Sequence, residues 1–233
     1  MSRIVKEYPI RRNEILDAAR TLVYTKGYEQ MTIQDILDAL QISKGAFYHY
    51  FQSKQDLLDA LVERIMDEVE VFLNPIIEDP TLSAIEKMTL YFNNATRWKT
   101  TQKAFMLALL RIWYTDENAI FRQKMQVFGN QRVGPLLTKV VHQGNQEGVF
   151  NCPYPNHFSE ILISLMQGVG EAFAVEILAE TPRPGGFDRI KITLEAYSTA
   201  IERILGAPAG SFNMMDDQLL QEWFTETLPN SYS

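Results

Sequence analysis

Lys44, Gly45, Tyr48 and His49 fall within one short stretch, and their types suit hydrogen bonding to phosphates and to the edges of bases. The lysine can reach a guanine edge or a phosphate as a point charge. Tyr48 and His49 can donate to phosphate oxygens and so fix register. Gly45 lacks a side chain, which lets the backbone come close to whatever it meets. A mid-helix glycine costs about 1 kcal/mol against alanine, so an incidental glycine here is a poor explanation. The apolar residues around them, Ile42, Phe47 and Phe51, take the core positions, with Tyr50 beside them. The four polar or bare positions are left to point outward.

Short helices must hold those residues, and the sequence marks where they start. Thr32 with Asp35, and Ser53 with Asp56, are capping-box spacings. Ser43 can cap the middle helix by accepting a free amide of the first turn. Ile33, Ile36, Leu37 and Leu40 recur at helical spacing and give the first short helix one core face. Two short helices joined by a break at 41–43 predict a helix-turn-helix with its second helix in a DNA major groove. Lys54 opens the next helix, where a cation opposes the helix dipole unless an anion is near. A phosphate would supply that anion, and the amides around Ser53 would bind it too. Thr32 is placed to contact the opposite flank of the backbone.

The segment SKGAFYHYFQSKQDLL closely resembles the recognition helix and following residues of the TetR family of bacterial transcriptional regulators. The resemblance runs from near Arg11 to about Leu61. It implies that Thr32, Lys44, Gly45, Tyr48, His49 and Lys54 touch DNA, with Ser43 and Ala46 facing bases. The family usually places a glycine in the turn, and this chain has Gln41. At positive φ that residue costs on the order of 1 kcal/mol against glycine. Further along, the loop GNQEGVFNCPYP also resembles the family at the corresponding place.

Upstream, residues 1–9 read as a loose arm carrying Arg3 and Lys6. Arg11 and Arg12 open a helix to about Lys26, with Ile15, Ala18, Ala19, Leu22 and Val23 on one face and Gly27 as its left-handed stop. These four basic residues read equally well as phosphate contacts and as a solvated terminus. The net charge of −7 is unevenly spread. Residues 1–54 hold eight Lys or Arg against six Asp or Glu, and residues 55–233 hold fourteen against twenty-three. Positive charge therefore gathers where phosphate contact is expected.

From Ser53 a long helix with Leu57, Leu58, Leu61, Ile65, Val69 and Phe72 on one face is expected to stop at Pro75. A rod of roughly 20 residues spans about 30 Å and links its two ends as a lever. Further helices are expected at 81–100, 102–114, 117–143, 156–179 and 187–205, and near 216–226. No stretch alternates with period two, so no strands are expected. The fold class is all-α: a helix-turn-helix domain at 1–54 and a helical ligand-binding and dimerisation domain at 55–233.

Phe72, Met88, Tyr91, Phe92, Trp98, Phe105, Met106, Trp113, Met125, Phe128, Met166 and Phe173 crowd the larger part. Aromatic residues at helical spacing are usually core, but together with adaptable methionines they could line a pocket. Asn94, Arg97 and Arg111 could orient a ligand in it. Leu162, Leu165, Val169 and Phe173, with Leu194, Tyr197 and Ile201, make two apolar surfaces, and Gly168 and Gly170 permit close helix approach. They read as core, or as half of a four-helix bundle between two subunits. The family resemblance implies that bundle, and a small inducer that shifts the paired groove units. Dimerisation also follows from the small reach of one recognition helix, since a symmetric pair reads a palindrome.

No catalytic constellation can be assembled. The histidines are His49, His142 and His157, and no metal-binding spacing joins them. Cys152 has no histidine at motif spacing, and the lone cysteine excludes an intramolecular disulfide. The glycines at 168–170 lie inside a helical pattern and follow no strand, which excludes a dinucleotide loop. No enzyme, cofactor or metal is expected. The N-terminus carries no apolar signal segment, and the longest apolar run, Ala104 to Leu110, is too short to cross a bilayer. The expectation is a cytoplasmic homodimer that binds operator DNA, is released by a small, largely apolar effector, and has no membrane partner. The alternatives are an activator, or a regulator controlled by a protein partner.

Overall fold

Among the described residues every regular element is helical. The structure, a computed structural model, describes residues 8–101, 103–179, 184–212, 214–215 and 217–225, without the side chains of 95–101, 104, 105, 108 and 225. Arg3, Lys6 and the side chains of Arg97, Trp98 and Phe105 lie outside that description. In order the helices are α1 (Tyr8–Thr25), α2 (Ile33–Leu40), α3 (Lys44–Tyr48), α4 (Lys54–Ile77), α5 (Ala84–Thr101), α6 (Lys103–Trp113), α7 (Ala119–Arg132), α8 (Gly134–Glu147), α9 (Phe158–Ile177), α10 (Gly186–Leu205) and α11 (Asp217–Thr225). Single 3₁₀ turns precede α7 (Asp116–Asn118) and α9 (Pro155–His157).

Three boundaries differ from the sequence expectation, and proline explains each. α1 begins at Tyr8 rather than Arg11, because Pro9 fits the first turn of a helix, where a missing amide costs nothing. Pro75 does not stop α4, which continues to Ile77. A proline can sit one turn from a helix end when the Glu78 amide still bonds the Asn74 carbonyl beyond it. The single helix expected over 117–143 is two helices. It breaks at Val133, where Pro135 in the first turn of α8 cannot continue the hydrogen-bond ladder of α7.

The chain divides into two compact units: Met1–Glu68 with Arg111–Phe128, and Val69–Leu110 with Gly129–Ser233. In the first, α1 buries Ile15, Leu16, Ala19 and Val23, and α2 packs on it through Ile36 and Leu37. Phe47 and Phe51 are fully buried in this unit, as are Leu57, Leu58 and Leu61 of α4. In the second, α8 packs on α5 and α9, α9 packs on α10, and α11 packs on α5 and α10. Gly144 on α8 lies under the Phe150 ring, whose nearest carbon would be 2.0 Å from a Cβ there. Buried Lys87 donates to the Ile77 carbonyl at 2.7 Å and to Gln143 Oε1 at 2.8 Å, which ties the end of α4 to α5 and α8. The stretch Pro155–Ile177 is long and apolar enough to cross a membrane by length and composition, although its buried face packs on α8 and α10.

Candidate nucleic-acid interface

Each short helix of the first unit is fixed at its start by the residues that the spacing singled out. The Asp35 amide donates to Thr32 Oγ1 at 3.1 Å, and the Thr32 amide donates to Asp35 Oδ2 at 2.7 Å, closing the capping box of α2. Ser43 Oγ accepts from the Ala46 amide at 3.2 Å and caps α3. Ser53 Oγ accepts from the Asp56 amide at 3.0 Å, while Asp56 reaches back to the Gln52 amide at 2.9 Å. Gln41 sits at φ 52°, ψ 46°, and its side chain donates to the Asp38 carbonyl at 2.7 Å. That bond offsets part of the roughly 1 kcal/mol that a non-glycine residue costs in this conformation.

The Asp35 carboxyl also carries the unit's best-defined titration. A hydrogen bond from Lys26 and two from Thr32 hold its pKa at about 2, below the ordinary 3.8. A carboxylate with a depressed folded pKa stabilises the fold above its ordinary pKa, and the effect is lost as pH falls toward about 2. Acid titration of the wild type and Asp35→Asn should therefore show the stability gap constant above pH about 5 and closing between about 4 and 2.

On α3 the buried residue is Phe47, and Lys44, Gly45, Tyr48 and His49 are exposed. Tyr48 is 43% exposed, with the Lys44 ammonium 5.9 Å from its ring centre. A Cβ built on Gly45 meets nothing within 4 Å, so no contact inside the chain requires that glycine. Thr32 and Ser43 are exposed, and Ala46 is half-buried. Lys54 is less free than the sequence suggested. Its ammonium donates to the Glu29 carbonyl at 3.0 Å and lies 4.3 Å from the Tyr28 ring centre, and burial pushes its pKa down.

Two features here had no sequence signal. Tyr8 packs its ring on Tyr50 at 4.8 Å and meets His49 edge-on at 5.7 Å, so the start of α1 borders the end of α3. Arg11 pairs with Glu14, and Arg12 lies over the Phe51 ring at 5.3 Å, so both have partners within the chain. The second feature is the segment 111–128, which belongs to this unit although far from it in sequence. A period-based reading cannot show this, because the polar bonds of Glu117 and Asn118 and the buried Phe121 ring reach residues about ninety positions away.

The described residues expected to line a ligand pocket are divided between the two units. Trp113, Met125 and Phe128 lie in the first unit, where Trp113 packs edge-on against Phe121 at 5.3 Å. Phe72 is exposed on α4. Met88, Phe92 and Phe173 are buried in the second unit, and Tyr91, Met106 and Met166 are half-buried there. Arg111 is exposed in the first unit and Asn94 half-buried in the second. Leu162, Val169, Phe173, Leu194 and Ile201 are buried within the single chain, because α9 and α10 pack on each other. Leu165 and Tyr197 are half-buried, and Tyr197 Oη would stand 2.3 Å from a Cβ on Gly168. The apolar side chains left outside on these helices are Ile161, Val175 and Ile192, the last 64% exposed.

Residues 15–61 match the family model "Bacterial regulatory proteins, tetR family", and residues 111–170 match "Tetracyclin repressor-like, C-terminal domain". The chain belongs to the TetR family of transcriptional regulators. This TetR-family chain is 26% identical over 153 residues to the uncharacterised HTH-type transcriptional regulator YfiR of Bacillus subtilis, covering 63% of this chain and 74% of that one. It is 30% identical over 88 residues to the HTH-type transcriptional repressor KstR2 of Mycobacterium tuberculosis, covering 38% and 44%. Among solved structures it shares the fold of E. coli NemR in its reduced form, with TM-score 0.59, 20% identity and 85% and 98% of the two chains covered. Salmonella enterica GusR superposes with TM-score 0.60 at 15% identity over 88% and 100%. The TetR-family assignment makes the protein a DNA-binding helix-turn-helix regulator and not an enzyme.

Proposed function

We propose that the protein is a repressor that binds a palindromic operator as a homodimer in the cytoplasm and is released by a small, largely apolar molecule. The observation that carries the DNA-reading part is Gly45. A bare position on an exposed helix face, with open space above it and Lys44, Tyr48 and His49 around it, suits a helix whose backbone must approach another molecule closely. Lys44 would reach a base edge or phosphate, Tyr48 and His49 would donate to phosphates, and Ser43 and Ala46 would face bases. Thr32 and Lys54 would grip the backbone on either side. Lys54 has three donors and gives one to Glu29, so two remain for a phosphate.

For the dimer, the outer faces of α9 and α10, with Ile161, Val175 and Ile192, offer apolar surface that the single chain leaves in water. For the effector, the buried Met88, Phe92 and Phe173 and the half-buried Tyr91, Met106 and Met166 of the second unit support an apolar ligand. Release would follow from linkage: a ligand that favours a spacing of groove helices unsuited to the operator is itself disfavoured by DNA.

Footprinting on DNA flanking the protein's own gene, at two salt concentrations, tests the reading. A symmetric footprint that weakens steeply with salt is expected. An asymmetric footprint would sink the palindrome, and salt-insensitive binding would sink the phosphate contacts. Gly45→Ala gives a second test, with effects of opposite sign. The variant should raise the stability of the free protein by about 0.5–1 kcal/mol and weaken operator binding by roughly tenfold. Thermal unfolding and titration of the same preparation would check both.

A further inference from the structure

Asn118 is fully buried, yet it belongs to the link between α6 and α7, and each of its polar side-chain atoms is used. Its Oδ1 accepts from the Tyr28 amide at 2.8 Å, and its Nδ2 donates to the carbonyls of Val23 at 3.2 Å and Ile112 at 3.3 Å. Next to it the Glu29 amide donates to the Glu117 carbonyl at 2.8 Å, and Gln30 Nε2 donates to Glu117 Oε1 at 3.3 Å. Gly27 stands at φ +87°, where a Cβ would lie 2.6 Å from the Glu117 Cβ, so the two segments touch backbone to backbone. The other side of the same turn is held by α4. Lys54 donates to the Glu29 carbonyl, and Tyr28 Oη donates to Gln55 Oε1 at 3.3 Å. The turn ends at Met31, which is buried, immediately before the Thr32 cap. Lys26, at its start, bonds Asp35 of the same cap at 2.8 Å.

We infer that Asn118 is a positioning residue for DNA binding: it fixes the turn Gly27–Met31, and the turn sets where Thr32 and Lys54 meet the phosphate backbone. This rests on the DNA-binding reading above. Asn118 touches no DNA itself. It acts by satisfying the buried Tyr28 amide and Val23 carbonyl, and by adding a donor to the Ile112 carbonyl that Thr115 already meets, which makes one arrangement of the turn much cheaper than others.

The test uses the full chain and the duplex that the wild type selects from random sequences. Binding is measured across a salt series for wild type, Asn118→Ala, Lys54→Ala and the double variant. Loss of one phosphate contact per subunit should make the slope of log affinity against log salt shallower by about 1.8 for a dimer. Lys54→Ala should show that change. Asn118→Ala should weaken binding about tenfold and also give a shallower slope. Because Thr32 carries no charge, the double variant should be no shallower in slope than Lys54→Ala alone. A variant that merely unfolds more often would bind less with an unchanged slope, and that result would overturn the inference.

A second measurement needs no variant. Amide exchange of the wild type with and without the duplex should show slower exchange at 28–29 and at 112–118 when DNA is bound. Unchanged exchange there overturns the inference while leaving DNA binding established. Selection that yields no duplex would instead overturn the DNA-binding reading, and the inference with it.

Discussion

Lys44→Ala and Tyr48→Ala are each expected to weaken operator binding by about 30-fold or more, with the oligomer intact and the melting temperature at most slightly lowered. Both side chains are exposed on the outer face of α3, and Tyr48 meets the core edge-on at the Phe47 ring. Their only described mutual contact is the ammonium over the phenol ring, a surface interaction of about 0.5–1 kcal/mol. A contact to a base edge or phosphate is typically about 1–3 kcal/mol, and a symmetric dimer loses it twice. The two variants should also differ. A base-edge contact from Lys44 makes its loss largest on the preferred sequence and smaller on unrelated duplexes, whereas loss of a phosphate contact from Tyr48 lowers affinity about equally on both. Titrations against the selected duplex and a scrambled one measure this directly. Parent-like binding by both variants would remove α3 from the interface.

Phe47→Ala should produce the largest loss of stability in the first unit, about 3–5 kcal/mol. Its side chain is fully buried, and its ring packs 5.4 Å from Tyr48 and 6.0 Å from Phe51. α3 has only five residues, too few to hold a helix by its own ladder, so burial of this ring is what keeps it in place. With total stabilities of about 5–15 kcal/mol typical, such a loss takes a large share of what the unit has. Amide exchange should show α2 and α3 losing protection together. Operator binding should fall with them, although Phe47 faces away from the proposed DNA surface.

The helix-turn-helix was legible because its information is local. Thr32, Ser43 and Ser53 act on amides within a turn of themselves, and Phe47 and Phe51 show their burial by type and spacing. The division of α7 from α8 was equally local, carried by Pro135, but a long apolar pattern on both sides masked it. What the sequence could not carry is which apolar face meets which neighbour. The stripe of Leu162, Val169 and Phe173 looks the same whether α10 of the same chain or a second subunit covers it, and here the same chain does. The docking of 111–128 was illegible for a different reason. It depends on Asn118 and Glu117 bonding to residues about ninety positions earlier, and a polar residue between two helices reads as an ordinary cap.

Pro75 gives α4 uneven stiffness. A proline has no amide to offer the carbonyl four residues before it, which is that of Val71, and the Val71 side chain is 75% exposed. The ladder of α4 is therefore short of one bond at this point and continues on either side of it. Beyond the joint the helix end is moored by Lys87 through the Ile77 carbonyl. The last turn of α4 thus has two fastenings, a ladder short of one bond at Val71 and the Lys87 mooring.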